Sequence, residues 1–185
     1  MTFDVKKTAQ AIAVILAEET ADSLEYIRIL KLLYIAERES IREIGRPIIG
    51  DRIVAMDNGP VMSRVYDLIK KTPILADQLS EWLTYIQPVG RYALKIAQHP
   101  GVGRLSKYEL AKLQEVTRRY MGIDVWTLVN ATHEFEEFQK HHVKGTSTMI
   151  PMKAIFEAVG KAEIYEAADA GMQQEQFFEE FFAVS

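Results

Sequence analysis

Three side chains near residue 135 have the types and the spacing of metal ligands. His133, Glu137 and His141 follow one another at intervals of four residues, so a continuous helix would carry all three on one face. The local sequence His-Glu-Phe-Glu-Glu lacks the second histidine that a zinc peptidase helix places four residues after the first. An ordinary polar helix face explains the same spacing. We therefore predict no metal site, and a metal-dependent hydrolase is the last of three functional hypotheses.

Cysteine and the glycine-rich loops of nucleotide-binding proteins are both missing from the sequence. It contains 0 cysteines, which excludes disulfides, thiolate metal sites and a cysteine nucleophile. Neither the P-loop pattern nor the glycine fingerprint of dinucleotide-binding proteins occurs. We therefore expect a protein that is not an enzyme and that needs no cofactor.

The charge of the chain argues against nucleic acid as its partner. The formal net charge of -4 repels nucleic acid. One predicted helix carries four basic residues, but they are scattered around the helix and predict a solvated face: Lys107, Lys112, Arg118 and Arg119. A transcriptional regulator that binds DNA through a local basic groove stays open as the second hypothesis.

The N-terminal 20 residues imitate a signal peptide only briefly. Lys6 and Lys7 precede a short apolar run, but Glu18 and Glu19 follow it where small residues should guide cleavage. We expect an amphipathic helix there. No apolar stretch approaches the length of about 20 residues that a membrane span needs, so we expect a cytoplasmic protein without a membrane partner.

Four aromatic residues stand among acids at the C-terminal end. Phe177, Phe178, Phe181 and Phe182 form two i, i+4 pairs on one face of a helical tail that we predict over residues 161–185. This face either packs on the core or enters the groove of a partner. Together with Ile48 and Ile49, in a short β-prone segment, these residues are our candidates for partner contact.

Helix signals dominate the chain. Asp22 to Glu25 form a candidate capping box, Gly45 is a natural helix end, and residues 29–36 between them contain one charge, which predicts a core helix. Ser106 with Glu109 predicts a second capping box, and Gly122 the end of that helix. Asp124 caps the next helix, through His133 and on toward Lys140, and Pro151 opens a further one.

The region between the helices 23–44 and 107–121 contains the β-prone segments. Residues 47–49 and 53–56 predict a small hairpin or extended arm, and residues 90–98 predict a strand that pairs with 53–56. After the turn at residues 57–60, Pro60 predicts the start of a helix that runs through about Lys71, and a helix that buries Trp82 follows. The predicted fold class is mainly α: one compact helical domain over residues 1–185 with a hairpin or a two- to three-stranded appendage.

Residues 59–66 read Gly-Pro-Val-Met-Ser-Arg-Val-Tyr. This segment resembles the G-P-V-x-x-x-V-Y signature of the SocA-like antitoxin domain, also called Panacea, through Gly59, Pro60, Val61, Val65 and Tyr66. Other segments resemble the family as well: Leu33 and Tyr34 within residues 31–36, residues 46–48, Ala55, residues 113–116, and the pair Thr132 and His133. The resemblance covers about residues 23–155. It departs from the family at Phe138, where a tryptophan is usual, and at residues 120–122, where a tyrosine-glycine pair is usual.

The resemblance implies an antitoxin that neutralises a cognate protein toxin by direct contact, either by masking it or by delivering it to a cellular protease. It brings no catalytic residues. Because turn and helix geometry explain the glycine and the proline, we interpret the matching residues as structural.

Overall fold

The computed structural model describes residues 3–72 and 76–167, without the side chains of residues 76 and 77. Its helices are α1 (Val5–Glu18), α2 (Tyr26–Ile44), α3 (Ser63–Lys70), α4 (Ala76–Tyr85), α5 (Lys107–Tyr120), α6 (Val125–His133), α7 (Glu136–His141) and α8 (Met152–Ala158). Residues 162–167 are helical as well. The strands are β1 (Leu24–Glu25), β2 (Ile53–Met56), β3 (Gly59–Met62), β4 (Ile86–Val89), β5 (Ala93–Ile96) and β6 (Thr148–Ile150). The mainly α class with a small sheet portion is confirmed.

Helix α2 is the centre of the core. Every residue from 29 to 36 is buried, because α1, α5, α6 and β3 pack around this part of the helix. The helix ends at Gly45, whose φ of 68° lies in the left-handed region, as predicted. The predicted capping box at its start is wrong. Strand β1 leads directly into α2, and the N–H of Tyr26 donates to the carbonyl of Tyr92 at 2.8 Å instead.

One antiparallel sheet has the strand order β1-β5-β4. Strands β4 and β5 form a hairpin in which Ile86 pairs with Ile96, and Leu24 of β1 pairs with Leu94. The prediction that residues 90–98 pair with residues 53–56 is therefore wrong. Pairing with β4 closes a much shorter loop, and both edges of β2 are occupied by other strands.

The second antiparallel sheet has the order β3-β2-β6. A hairpin of residues 47–49 with residues 53–56 is not formed, because residues 47–49 are not a strand and β2 pairs with β3 across the turn at residues 57–58. Pro60 therefore lies inside β3 and does not open a helix. An edge strand accepts proline because its missing N–H is not needed for pairing. Helix α3 begins only at Ser63, where Asp51 accepts hydrogen bonds from the N–H groups of Arg64 and Val65.

Several helix ends agree with the sequence signals. The Ser106 capping box is formed, Asp124 caps α6, and Pro151 directly precedes α8. Trp82 is buried in the core. The predicted continuation of α6 toward Lys140 is wrong, because the helix ends at His133 and α7 starts anew at Glu136.

Of the four basic residues of α5, Lys107, Arg118 and Arg119 are exposed, as predicted, but Lys112 is not. Lys112 is buried, and its Nζ lies 2.8 Å from a carboxylate oxygen of Glu43 and 2.6 Å from one of Glu115. Arg118 pairs with Glu18 of α1 at 2.7 Å, and Arg119 pairs with Glu39 of α2. Arg118 and Arg119 stay exposed, but each has a carboxylate partner that offsets its charge.

In residues 3–72 and 76–167, no helix combines the length and the apolar character that a membrane crossing requires.

Candidate partner-binding groove

The motif residues that are distant in sequence meet at Gly59. The φ of Gly59 is +92°, a conformation that side chains with a Cβ rarely adopt. A Cβ built on Gly59 would lie 2.6 Å from Oγ1 of Thr132 and 3.0 Å from Nζ of Lys31. Backbone conformation and close packing therefore both require glycine here. We call the contact of Lys31, Gly59, Pro60, Thr132 and His133 the motif junction.

Lys31 connects α2 to β3 within the motif junction. Its side chain is 0% exposed, and Nζ donates a hydrogen bond of 2.8 Å to the carbonyl oxygen of Pro60. Burial lowers the pKa of Lys31 to about 7, because the protein replaces the water that would stabilise the ammonium. The hydroxyl of Thr132, also buried, donates to the carbonyl of Val129 at 2.7 Å.

The ring of His133 packs in an aromatic stack. It lies 4.8 Å from the ring of Phe138, which in turn lies 4.9 Å from the ring of His142. Nε2 of His133 is buried without a hydrogen-bond partner among the described residues. Burial and the nearby Lys31 lower the pKa of His133.

The arrangement expected of a metal-binding helix face is not formed. His133 ends α6, whereas Glu137 and His141 belong to α7. Glu137 is buried and accepts hydrogen bonds of 2.7 Å from the hydroxyl of Tyr34 and from Nε of Arg38. Within the part of the chain that the structure describes, no group of three histidine, cysteine or acidic residues is arranged to hold a metal ion.

The remaining motif residues are buried, except Tyr66, which is partly buried against the core. Leu33, Val61 and Val65 are buried in the core, and so is Tyr34. Burial and the carboxylate of Glu137 raise the pKa of Tyr34 well above its ordinary value.

Ile48 and Ile49, two of the candidate contact residues, are buried in the core. Their N–H groups donate to the carboxylate of Glu37 at 2.6 and 2.8 Å, and Gly50 donates at 2.7 Å. Burial raises the pKa of Glu37 to about 7, although these three donors favour its charged form. The two isoleucines therefore present no exposed contact surface. The other candidates, Phe177, Phe178, Phe181 and Phe182, lie outside the described residues.

Above the motif junction lie two adjoining cavities that share Tyr26, Ile27 and Asn58. The first measures about 390 Å³ and is also lined by Met56, Val61 and Tyr66. The second measures about 380 Å³ and is also lined by Tyr92, Val125 and Trp126. We call the two together the aromatic groove, after Tyr26, Tyr66, Tyr92 and Trp126. The sequence analysis identified only Tyr66 of these four, as a motif residue.

Two cations cover aromatic rings of the groove. Nζ of Lys70 lies 4.4 Å from the ring centre of Tyr26 and 5.3 Å from that of Tyr66. The same Nζ donates to the hydroxyl of Tyr26 at 2.9 Å, and this hydrogen bond raises the pKa of Lys70. The guanidinium of Arg91 lies 5.3 Å from the ring centre of Tyr92. The groove thus joins half-buried and exposed rings with positive charge, a combination suited to binding.

No curated protein and no solved structure matches the chain. The family model for the antitoxin SocA-like, Panacea domain matches residues 29–139, which is more than half of the chain and includes the whole motif junction. The chain therefore belongs to the family of SocA-like antitoxins with a Panacea domain.

Proposed function

We propose that this chain binds a cognate protein toxin stoichiometrically and neutralises it by direct contact in the cytoplasm. The family match over residues 29–139 is the observation that carries the proposal. The motif that defines the family lies largely in the interior, where it shapes the fold. The toxin contact accordingly belongs mainly to exposed residues around the motif, and of the motif itself Val61 and Tyr66 line the groove.

The exposed side chains of the aromatic groove favour protein binding over catalysis. Tyr92 and Trp126 are each 56% exposed. Tryptophan, tyrosine and arginine are the residues in which binding energy is most often concentrated at protein interfaces. Two of the buried ionisable groups nearby already have structural partners, since Lys31 donates to Pro60 and Glu137 accepts from Tyr34. These observations support the proposal of a binding protein that works without catalytic residues or a cofactor.

The aromatic, acidic segment at residues 176–182 stays a second proposed contact. Its charge suits a basic toxin, for example one that acts on RNA or ribosomes. Neutralisation then follows either from masking the active surface of the toxin or from its delivery to a protease.

Co-expression tests the proposal. The product of the reading frame adjacent to this chain's own is produced alone and together with the chain, and growth and complex formation are measured. We expect growth arrest in the first case, normal growth in the second, and co-elution of the two proteins. An adjacent product that is harmless alone, or that remains toxic beside a folded chain, contradicts the proposal. The half-life of the adjacent product in the two cultures separates masking, which leaves it unchanged, from delivery to a protease, which shortens it.

A further inference from the structure

We infer that the aromatic groove receives an acidic and apolar segment of the protein partner, with an apolar side chain at the Trp126 end and a carboxylate at the Lys70 end. This inference rests on the proposed function and adds the contact surface and the chemistry of the segment that occupies it.

The shape of the groove fits large side chains of a partner. Each of its cavities, about 390 and 380 Å³, lies at the lower end of the range of about 300–1,000 Å³ over which binding pockets are found. Tyr26 lines both cavities, so a partner segment that runs along it can place one side chain in each. Trp126 and Tyr92 form the walls of the second cavity, and both expose most of their rings to solvent.

The two ends of the groove differ in charge. At the Tyr66 end, Lys70 carries three N–H donors, and one of them is used by Tyr26. Asp57 lines the same cavity, but it already accepts from the N–H of Gly145 at 2.8 Å and contacts Nε2 of His142 at 3.0 Å. At the other end, Glu25 lines the cavity of Trp126, and the guanidinium of Arg91 covers the ring of Tyr92. A carboxylate of the partner is therefore favoured beside Lys70 and disfavoured beside Glu25.

The walls of the groove are held in place before any partner binds. The motif junction fixes β3 against α2, and the N–H of Tyr26 donates to the carbonyl of Tyr92 across the floor. Asp57 ties the turn at residues 57–58 to the segment that follows α7. A preformed groove loses little conformational entropy on binding, which leaves more of the contact energy for affinity.

Exposed apolar residues extend from both ends of the groove. Met121 and Ile123 precede the Trp126 wall in the chain, and Val143 and Met149 flank the 145–147 loop that lines the first cavity; all four are exposed. A stable protein interface buries about 1,200–2,000 Å² in total, more than the groove alone supplies. The groove is therefore the centre of the contact, and these four residues belong to its rim.

A double variant tests the apolar end. We expect Tyr92→Ala with Trp126→Ala to weaken binding of the purified adjacent product by about 30-fold or more in titration calorimetry, the size of effect found at binding hot spots. The matched control is Ile44→Ala with Leu83→Ala, which removes apolar side chains that are 46% and 40% exposed but lie outside the groove. The control should bind like the original chain. Melting temperatures of all three proteins show whether any of them has lost its fold.

A charge reversal tests the other end. We expect Lys70→Glu to weaken binding about 10-fold at low salt, and less at high salt, because a charge at the edge of an interface acts over a range that salt shortens. Lys107→Glu reverses an exposed lysine on α5 and is the matched control. Lys70→Arg keeps the charge and should restore most of the affinity. Equal or tighter binding by Lys70→Glu overturns the assignment of the carboxylate to this end.

These experiments separate the inference from the proposed function. If the original chain does not bind the adjacent product, the proposed function itself has failed. If the original chain binds and both groove variants bind equally well, only the inference has failed. A labelled single-stranded oligonucleotide serves as a further probe, because aromatic rings beside cations also suit stacked bases. Binding of this probe that is lost with Trp126→Ala would overturn the assignment of a protein segment to the groove.

Discussion

Gly59 shows at the scale of single residues how a family motif can be structural. The sequence identifies this glycine from its turn and its motif, but the contacts that require it come from Lys31 and Thr132, which are distant in the chain. The same limit applies to Glu37, Asp51 and Glu137. Sequence analysis missed Glu37 and Asp51 and considered Glu137 only as a metal ligand, because a buried acid among polar neighbours has the same local pattern as an exposed one.

We predict that Gly59→Ala destabilises the protein more than Gly90→Ala does. Both glycines have positive φ, +92° and +58°, but a Cβ on Gly90 meets no heavy atom within 4 Å. Gly90→Ala should cost about 1–2 kcal/mol from backbone strain alone. Gly59→Ala should cost a further 1–3 kcal/mol, roughly, from overpacking against Thr132 and Lys31.

Chemical denaturation of the two alanine variants measures this difference. Equal losses would show that the contacts at Gly59 carry no energy of their own. Gly59→Val should unfold the protein or weaken it further. A Gly59→Val protein with unchanged stability and lost partner binding would instead make the motif an interaction site.

The buried lysine gives a prediction for pH. Between about 7, the folded pKa of Lys31, and its ordinary value of 10.5, the unfolded chain holds a proton that the folded chain has released. Raising the pH over this range therefore favours the folded state. This stabilisation is lost as the pH falls through the same range, and the loss is complete below about pH 7, the folded pKa. Relative to Lys31→Met, the original chain should gain up to about 1.4 kcal/mol of unfolding free energy per pH unit over this window.

Denaturation of both proteins at several values between pH 7 and 9 tests this, because groups far from Lys31 titrate equally in the two and cancel. His133, whose pKa burial and Lys31 lower, titrates below the window. Parallel stability curves would mean that Lys31 keeps an ordinary pKa in the folded chain.

Individual helices and strands were predicted best where the determining residues are adjacent. The Ser106 capping box, the Gly45 end of α2 and the Asp124 cap depend on a few consecutive residues, and all three are formed. Strand β3 and the pairing of β5 were predicted wrongly, although β3 pairs with β2 and β5 with β4 across short turns. Gly59-Pro60 suits both a helix start and an edge strand, so only the partner strand decides between them.

Two aspartates that cap helices should contribute different amounts to the free energy of unfolding. Asp51 is buried and caps α3 from outside that helix, whereas Asp124 caps α6 locally and is exposed. We expect Asp51→Ala to cost about 2 kcal/mol or more, because it leaves buried N–H groups without partners, and Asp124→Ala about 1 kcal/mol. Thermal unfolding of both variants provides the comparison. A larger loss for Asp124→Ala would contradict this role of Asp51.

The segment that contains Phe177, Phe178, Phe181 and Phe182 has its own test. We predict that a chain without residues 173–185 keeps its fold but binds the adjacent product more weakly and protects growth less. Circular dichroism reports the fold, and calorimetry reports the affinity. An unfolded truncated chain would assign the segment to the core. A truncated chain with full affinity would leave the aromatic groove as the contact.

For the molecule as a whole, the described structure separates a motif that builds the fold from a surface that is available for recognition. Motif residues such as Lys31 and Gly59 lie under the groove, while Tyr92 and Trp126, which the family resemblance did not include, lie on its exposed walls. Sequence analysis therefore identified the family and the helical class but not the surface. Which residues are exposed together depends on how distant segments pack, and a single sequence does not contain that information in its local patterns.

Titration calorimetry of the purified chain with the purified product of the adjacent reading frame tests the central claim most directly. The account predicts a single binding transition with equal stoichiometry, and a matching loss of toxicity when the same ratio is added to a cell-free assay of the toxin. No measurable binding by a folded chain, or binding that leaves the toxin fully active, would contradict neutralisation by direct contact.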